Sequence, residues 1–134
     1  MTHPIKEIAP EVAPIIERLR EICLSFPEAT EKIAWGEPTF RVRDKLFAMF
    51  DNNHHAAGRV GVWCKAAQGA QEVLVDADPE HFFVPPYMGP KGWIGVRLDN
   101  EPDWAAVAAL MEEAYRLIAP KRLARAMEAQ AGER

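Results

Sequence analysis

The chain has 134 residues, 49% of them apolar and 27% charged, which suits one soluble globular domain with a core of its own. No apolar run approaches the roughly 18 residues of a membrane-spanning helix, and the opening MTHPIKEIAP lacks the basic start and apolar centre of a secretory signal, so the expected compartment is the cytoplasm. A net charge of −4, with no third of the chain basic, excludes a uniformly cationic polymer-binding protein and confines any positive surface to local runs.

The first predicted element is a helix from Pro10 to Ser25. Val12, Ile16, Leu19, Ile22 or Cys23, and Phe26 recur at helical spacing, and Pro27 ends the run. Pro10 and Pro14 suit a first helical turn but no interior, so they blur the start. Short strands follow. ATEKIAW and PTFRV are separated by Gly36-Glu37-Pro38, and RDK is a tight turn into LFAMF. The polar DNNHHAAG then leads into RVGVWCK. Phe40 and Val42 alternate with Arg41 and Arg43, the period of a half-buried strand, and the brevity of these connections favours antiparallel neighbours.

A second, shorter helix is predicted over Gln68 to Asp76, with Val73 and Leu74 inward and Pro79 closing the segment. Strands at Phe82–Val84 and Trp93–Leu98 then flank a loop, PPYMGPKG, rich in stiff prolines and permissive glycines. The last long helix runs from an Asp103 N-cap to Ala119, with Trp104, Val107, Leu110, Met111, Ala114, Leu117 and Ile118 as its buried stripe. Pro120 interrupts it before a helical Lys121 to Ala129, and the final AGER is expected to fray. The fold class that follows is α+β: one domain, a twisted antiparallel β-sheet with N- and C-terminal helices packed on one face.

Two segments carry the candidate chemistry. In WGEPTFRVRDK, Arg41 and Arg43 sit two apart and are expected on one strand face, with Lys45 across the turn. Such a wing can grip phosphates, or it can simply keep an edge strand soluble. In the proline-rich loop, Tyr87 and Trp93 can stack on flat groups while Lys91 meets an anion beside them; equally, both rings can pack on the sheet as a satellite core. Lys65 is placed to share a groove with Lys91, whereas Trp63 reads as core. Lys121, Arg122 and Arg125 form a second short basic run.

Other residue types offer less. Cys23 and Cys64 lack any CxxC partner, which argues against a disulfide framework or zinc site and suggests buried reduced thiols. His54 and His55 are adjacent, so in an extended chain they point to opposite faces and hold no common metal. His3 and His81 stand alone. Ser25 is the only serine, and no GxSxG, Walker, HExxH or GxGxxG motif occurs. The residues therefore point to no enzyme, catalytic residue, cofactor or metal.

Taken together, FPEATEKIAWGEPTFRVRDKLFAMF, VWCKA, FFVPPYMGPKGWIGVRLD, the DW before the last long helix and YRLIAPKRLA resemble the MmcQ/YjbR family of small bacterial proteins. That resemblance implies a CyaY-like α+β fold and a DNA-binding role through a double-wing surface. By motif it carries over Trp35, Gly36, Pro38, Phe40, Lys45, Lys65, Pro86, Tyr87, Gly92, Trp93 and Lys121. The leading expectation is a non-enzymatic nucleic-acid-binding module. In it Arg41, Arg43 and Lys45 grip phosphates, Lys65, Lys91, Lys121 and Arg122 line the path, and Tyr87 and Trp93 stack. The alternative is a small anionic ligand or a protein partner held on the 85–93 platform, by a monomer or by a homodimer joined through an edge strand.

Overall fold

A computed structural model describes residues 8–52 and 58–132 of the chain. His3, His54 and His55 lie outside the described residues. The elements run α1 (Ala13–Leu24), β1 (Ala29–Ala34), β2 (Glu37–Val42), β3 (Lys45–Asn52), β4 (Val60–Cys64), α2 (Ala70–Ala77), β5 (Phe82–Phe83), β6 (Ile94–Arg97), α3 (Trp104–Ile118) and α4 (Lys121–Gly132). One six-stranded sheet in the order β1-β2-β3-β4-β6-β5 is antiparallel throughout. This is the α+β architecture that the strand periodicity predicts.

Two tight hairpins set the register. Ala34 pairs with Glu37 and Val42 with Lys45, leaving two-residue turns at Trp35-Gly36 and Arg43-Asp44. All four turn residues have positive φ (55°, 78°, 52° and 63°), the primed geometry that matches the natural twist of paired strands. Arg43 is therefore a turn residue. The expected sharing of one strand face by Arg41 and Arg43 does not occur, because β2 ends at Val42 and the turn breaks the alternation.

Pairing carries a row of side chains across all six strands: Lys32, Thr39, Met49, Trp63, Gly95, Phe83. The neighbouring row, Glu31, Phe40, Ala48, Cys64, Ile94, faces the helices. A bulge between β2 and β3 inserts Phe47, which joins the helix-side core beside Phe26 and Tyr115 at ring separations of 6.2 and 5.6 Å. Tyr115 is fully buried and its hydroxyl donates to Pro27 O at 2.6 Å, tying the end of α3 to the start of β1.

The helix boundaries shift slightly. α1 begins at Ala13, with Pro14 inside its first turn, where the missing N–H costs nothing. Asp103 caps α3, its carboxylate accepting from the N–H groups of Ala105 and Ala106. The buried arc of α3 is Val107, Met111, Ala114 and Tyr115, so Leu117 falls outside it at 46% exposure. Val73, expected inward, is 66% exposed on α2.

The face away from the helices carries a smaller core of Met49, Trp63 and Trp93, packed against Leu46, Phe83 and Met88. Gly95 makes this possible: a Cβ there would stand 2.2 Å from the Phe83 ring.

Candidate nucleic-acid interface

The antiparallel register decides where the predicted site residues meet. β2 ends and β3 begins at the Arg43-Asp44 turn, and pairing of Ala48 with Cys64 and of Cys64 with Ile94 brings the end of β4 and the start of β6 to that same end. Arg41, Arg43, Lys45 and Lys65 thus collect at one end of the sheet. β5 runs toward this end too, since Phe83 pairs with Gly95, so the loop bearing Tyr87 and Lys91 lies there as well. Lys121 and Arg122 open α4, and Arg122 Nη2 approaches Glu28 Oε2 at 3.7 Å, which places them beside the Arg43 turn.

These cations differ in how they are held. Arg43 grips the Glu28 carboxylate with Nε at 2.8 Å and Nη2 at 3.3 Å. Its guanidinium holds the Glu28 carboxyl below the usual carboxylate range, first through the hydrogen bond and then through charge. Glu28 is therefore shared between Arg43 and Arg122. Arg41 lies along the sheet, donating from Nε to Thr39 Oγ1 at 3.2 Å and from Nη1 to Asp44 O at 3.3 Å. Lys45, Lys91 and Lys121 are exposed and Lys65 is half-buried. The acids placed among them are Glu28, Asp44 and, in the first turn of α2, Glu72.

The two aromatic candidates part company. Tyr87 is 74% exposed and sits at φ 63°, a left-handed conformation that a bulky residue rarely holds. Trp93 is only 4% exposed, sealed against Met49 and Trp63. Its expected stacking role is corrected on that ground. Extracting a large apolar side chain forfeits about 1.5–3 kcal/mol, which cancels the roughly 1–3 kcal/mol that base stacking returns. Trp93 instead anchors the loop, with Gln71 Nε2 donating to Trp93 O at 2.6 Å and to Gly89 O at 3.0 Å.

Among the described residues, no group of three or more His, Cys, Asp or Glu side chains is arranged to hold a metal ion, and no helix is long and apolar enough to cross a membrane. Both cysteines are buried. Burial pushes the Cys64 thiol up to about 12 and raises Cys23 well above its usual value. The Ser25 hydroxyl donates to Ile22 O at 2.6 Å.

Sequence reasoning missed one cluster at the far end of the sheet. His81 Nδ1 lies 3.0 and 3.1 Å from the two Asp78 carboxylate oxygens, and Nε2 lies 3.2 Å from Asn100 O. The spacing of Asp78 and His81 hints at the first contact. Nothing local announces the second.

The YjbR family model matches residues 24–117, a span that runs from the end of α1 through the sheet to α3. The chain belongs to the YjbR family. In three dimensions this YjbR chain is similar to a crystal structure of a Deinococcus radiodurans protein with a DUF419 domain. The TM-score is 0.68 at 20% identity, with 87% of each chain covered; at that identity the likeness establishes the shared fold. A comparison with curated proteins finds no match.

Proposed function

We propose that this YjbR-family protein is a nucleic-acid-binding module without chemistry of its own, and that it contacts the phosphate backbone with the basic end of its sheet. The observation that carries this reading is the register. Cations scattered from Arg41 to Arg122 gather at one end of a chain whose net charge is −4. Phosphate contacts of this kind give affinity without sequence preference and release counterions. Tyr87, held outward on the anchored loop, supplies the stacking surface.

The Glu28 clasp makes the reading sharp. An exposed ion pair contributes little to stability, so a phosphate can displace Glu28 from Arg43. The test is fluorescence anisotropy of labelled single- and double-stranded DNA across a salt series. The triple variant R41A/K45A/K65A is expected to flatten the log–log salt slope by about 0.7–0.9 for each phosphate it no longer grips. Glu28→Gln is expected to tighten binding, because it frees Arg43 and Arg122. Tyr87→Ala is expected to weaken single-stranded binding more than double-stranded. No binding at about 150 mM salt, or equal slopes for the wild type and the triple variant, overturns the proposal.

A second reading rests on Tyr87 and Val84, which are both exposed on the same loop as Lys91. An apolar patch beside a cation suits a small anionic ligand or a protein partner. It predicts that Tyr87→Ala abolishes capture of such a partner while DNA affinity stays negligible.

A further inference from the structure

A cavity of about 320 Å³ opens at the other end of the sheet, between β5–β6 and the first turns of α3. Its volume lies near the lower bound, about 300 Å³, of small-molecule sites. Phe82, Val96, Val107 and Leu110 give it an apolar wall, and His81, Arg97 and Glu101 stand at its mouth.

The polar groups at the mouth are unequally committed. His81 faces acceptors from both ring nitrogens, the Asp78 carboxylate and Asn100 O. Which ring nitrogen donates depends on the tautomer, and only the protonated ring donates to both acceptors. Arg97 Nε donates to Asp99 Oδ1 at 3.2 Å. Asp103 is spent on the α3 cap. Glu101 has no hydrogen bond or ion pair among the described residues, and its backbone is held at φ 46°, a conformation that non-glycine residues keep where the surroundings enforce it.

We infer that this cavity binds a small organic cation, an amine with an apolar body, independently of the basic end of the sheet. The ammonium pairs with Glu101 while the body lies along Phe82, Val96, Val107 and Leu110. An anion is disfavoured: Arg97 and His81 already face carboxylates, and an anion would be desolvated beside Glu101 and Asp103.

Phenethylamine and the similar-sized anion 3-phenylpropanoate separate the cases. Each is titrated into the full chain while the methyl resonances of Val96, Val107 and Leu110 are followed by NMR. The expected result is saturable binding of phenethylamine with shifts at these methyls, and weaker or no response to 3-phenylpropanoate. Glu101→Gln is expected to weaken amine binding about tenfold or more, a change of about 1.4 kcal/mol. Ala106→Leu, at an exposed cavity-lining position on α3, is expected to block the cavity. Equal binding of the carboxylate, an unchanged Glu101→Gln affinity, or no methyl shift at millimolar amine overturns the inference.

Discussion

His81 shows what a single residue contributes when its partners come from two directions. Asp78 precedes it on the same loop, and Asn100 arrives from beyond β6. The hydrogen bond to Asp78 is the largest influence raising the His81 pKa above its usual value, followed by an opposing desolvation and then by the charges of Asp78 and Glu80 and the Asn100 carbonyl. A folded-state value above the unfolded one means that protonation favours the fold. The stabilisation is complete below about pH 6.5, the unfolded value, and is lost as pH rises through the folded value. His81→Gln is thus expected to melt lower than wild type at mildly acidic pH and to converge with it at alkaline pH, as read by thermal denaturation across that range. A titration midpoint for His81 at or below the unfolded value would contradict this. In the sequence His81 looks solitary, since hydrogen bonding to a carbonyl nineteen positions away leaves no local pattern. Trp93 and Tyr87 present the same difficulty in mirror image. Both are aromatic residues in one loop, and only the positive φ of Tyr87 and the packing of Trp93 against strands β3 and β4 tell them apart.

Among the elements, β1 forms an open edge of the sheet, with Ile33 and Trp35 exposed. An edge of this length invites a second copy. Side chains that face each other across a two-fold in a continuous sheet must lie on the same face, so the longest pairings of β1 with itself centre on Glu31 or on Lys32. The first sets two carboxylates together and draws each from Arg20, which holds Glu31 through two hydrogen bonds of 2.6 and 2.8 Å. The second sets two ammonium groups together. Lys32→Val removes the second obstacle. Sedimentation velocity near physiological ionic strength is expected to show a monomer for the wild type and a concentration-dependent dimer for the variant; a wild-type dimer there would mean that another surface associates. The strands themselves were legible, because alternation and two short turns specify them. The helix stripes were legible only in part: a buried arc containing Tyr115 excludes Leu117, and the period alone does not say where an arc is centred.

At the scale of the molecule the dominant feature is the sorting of charge along the strands. Arg41, Arg43, Lys45, Lys65, Lys91, Lys121 and Arg122 lie toward one end, with Glu28, Asp44 and Glu72 among them. Glu37, Asp51, Asp78, Glu80, Asp99, Glu101 and Asp103 lie toward the other, with Arg59 and Arg97 among them. No stretch of the sequence displays this, because each strand contributes one or two charges and only the register adds them up. Composition reports the sum, and the sum is mildly acidic. A body with opposite poles behaves like a bar magnet in company. When little salt is present to screen it, the basic pole of one copy is drawn to the acidic pole of the next, a head-to-tail contact that extends into open chains unless its rotation closes a ring. Light scattering is expected to reveal growing chains of molecules in dilute buffer that disperse near physiological ionic strength, and a nucleic acid that occupies the basic pole should dissolve them by capping every link.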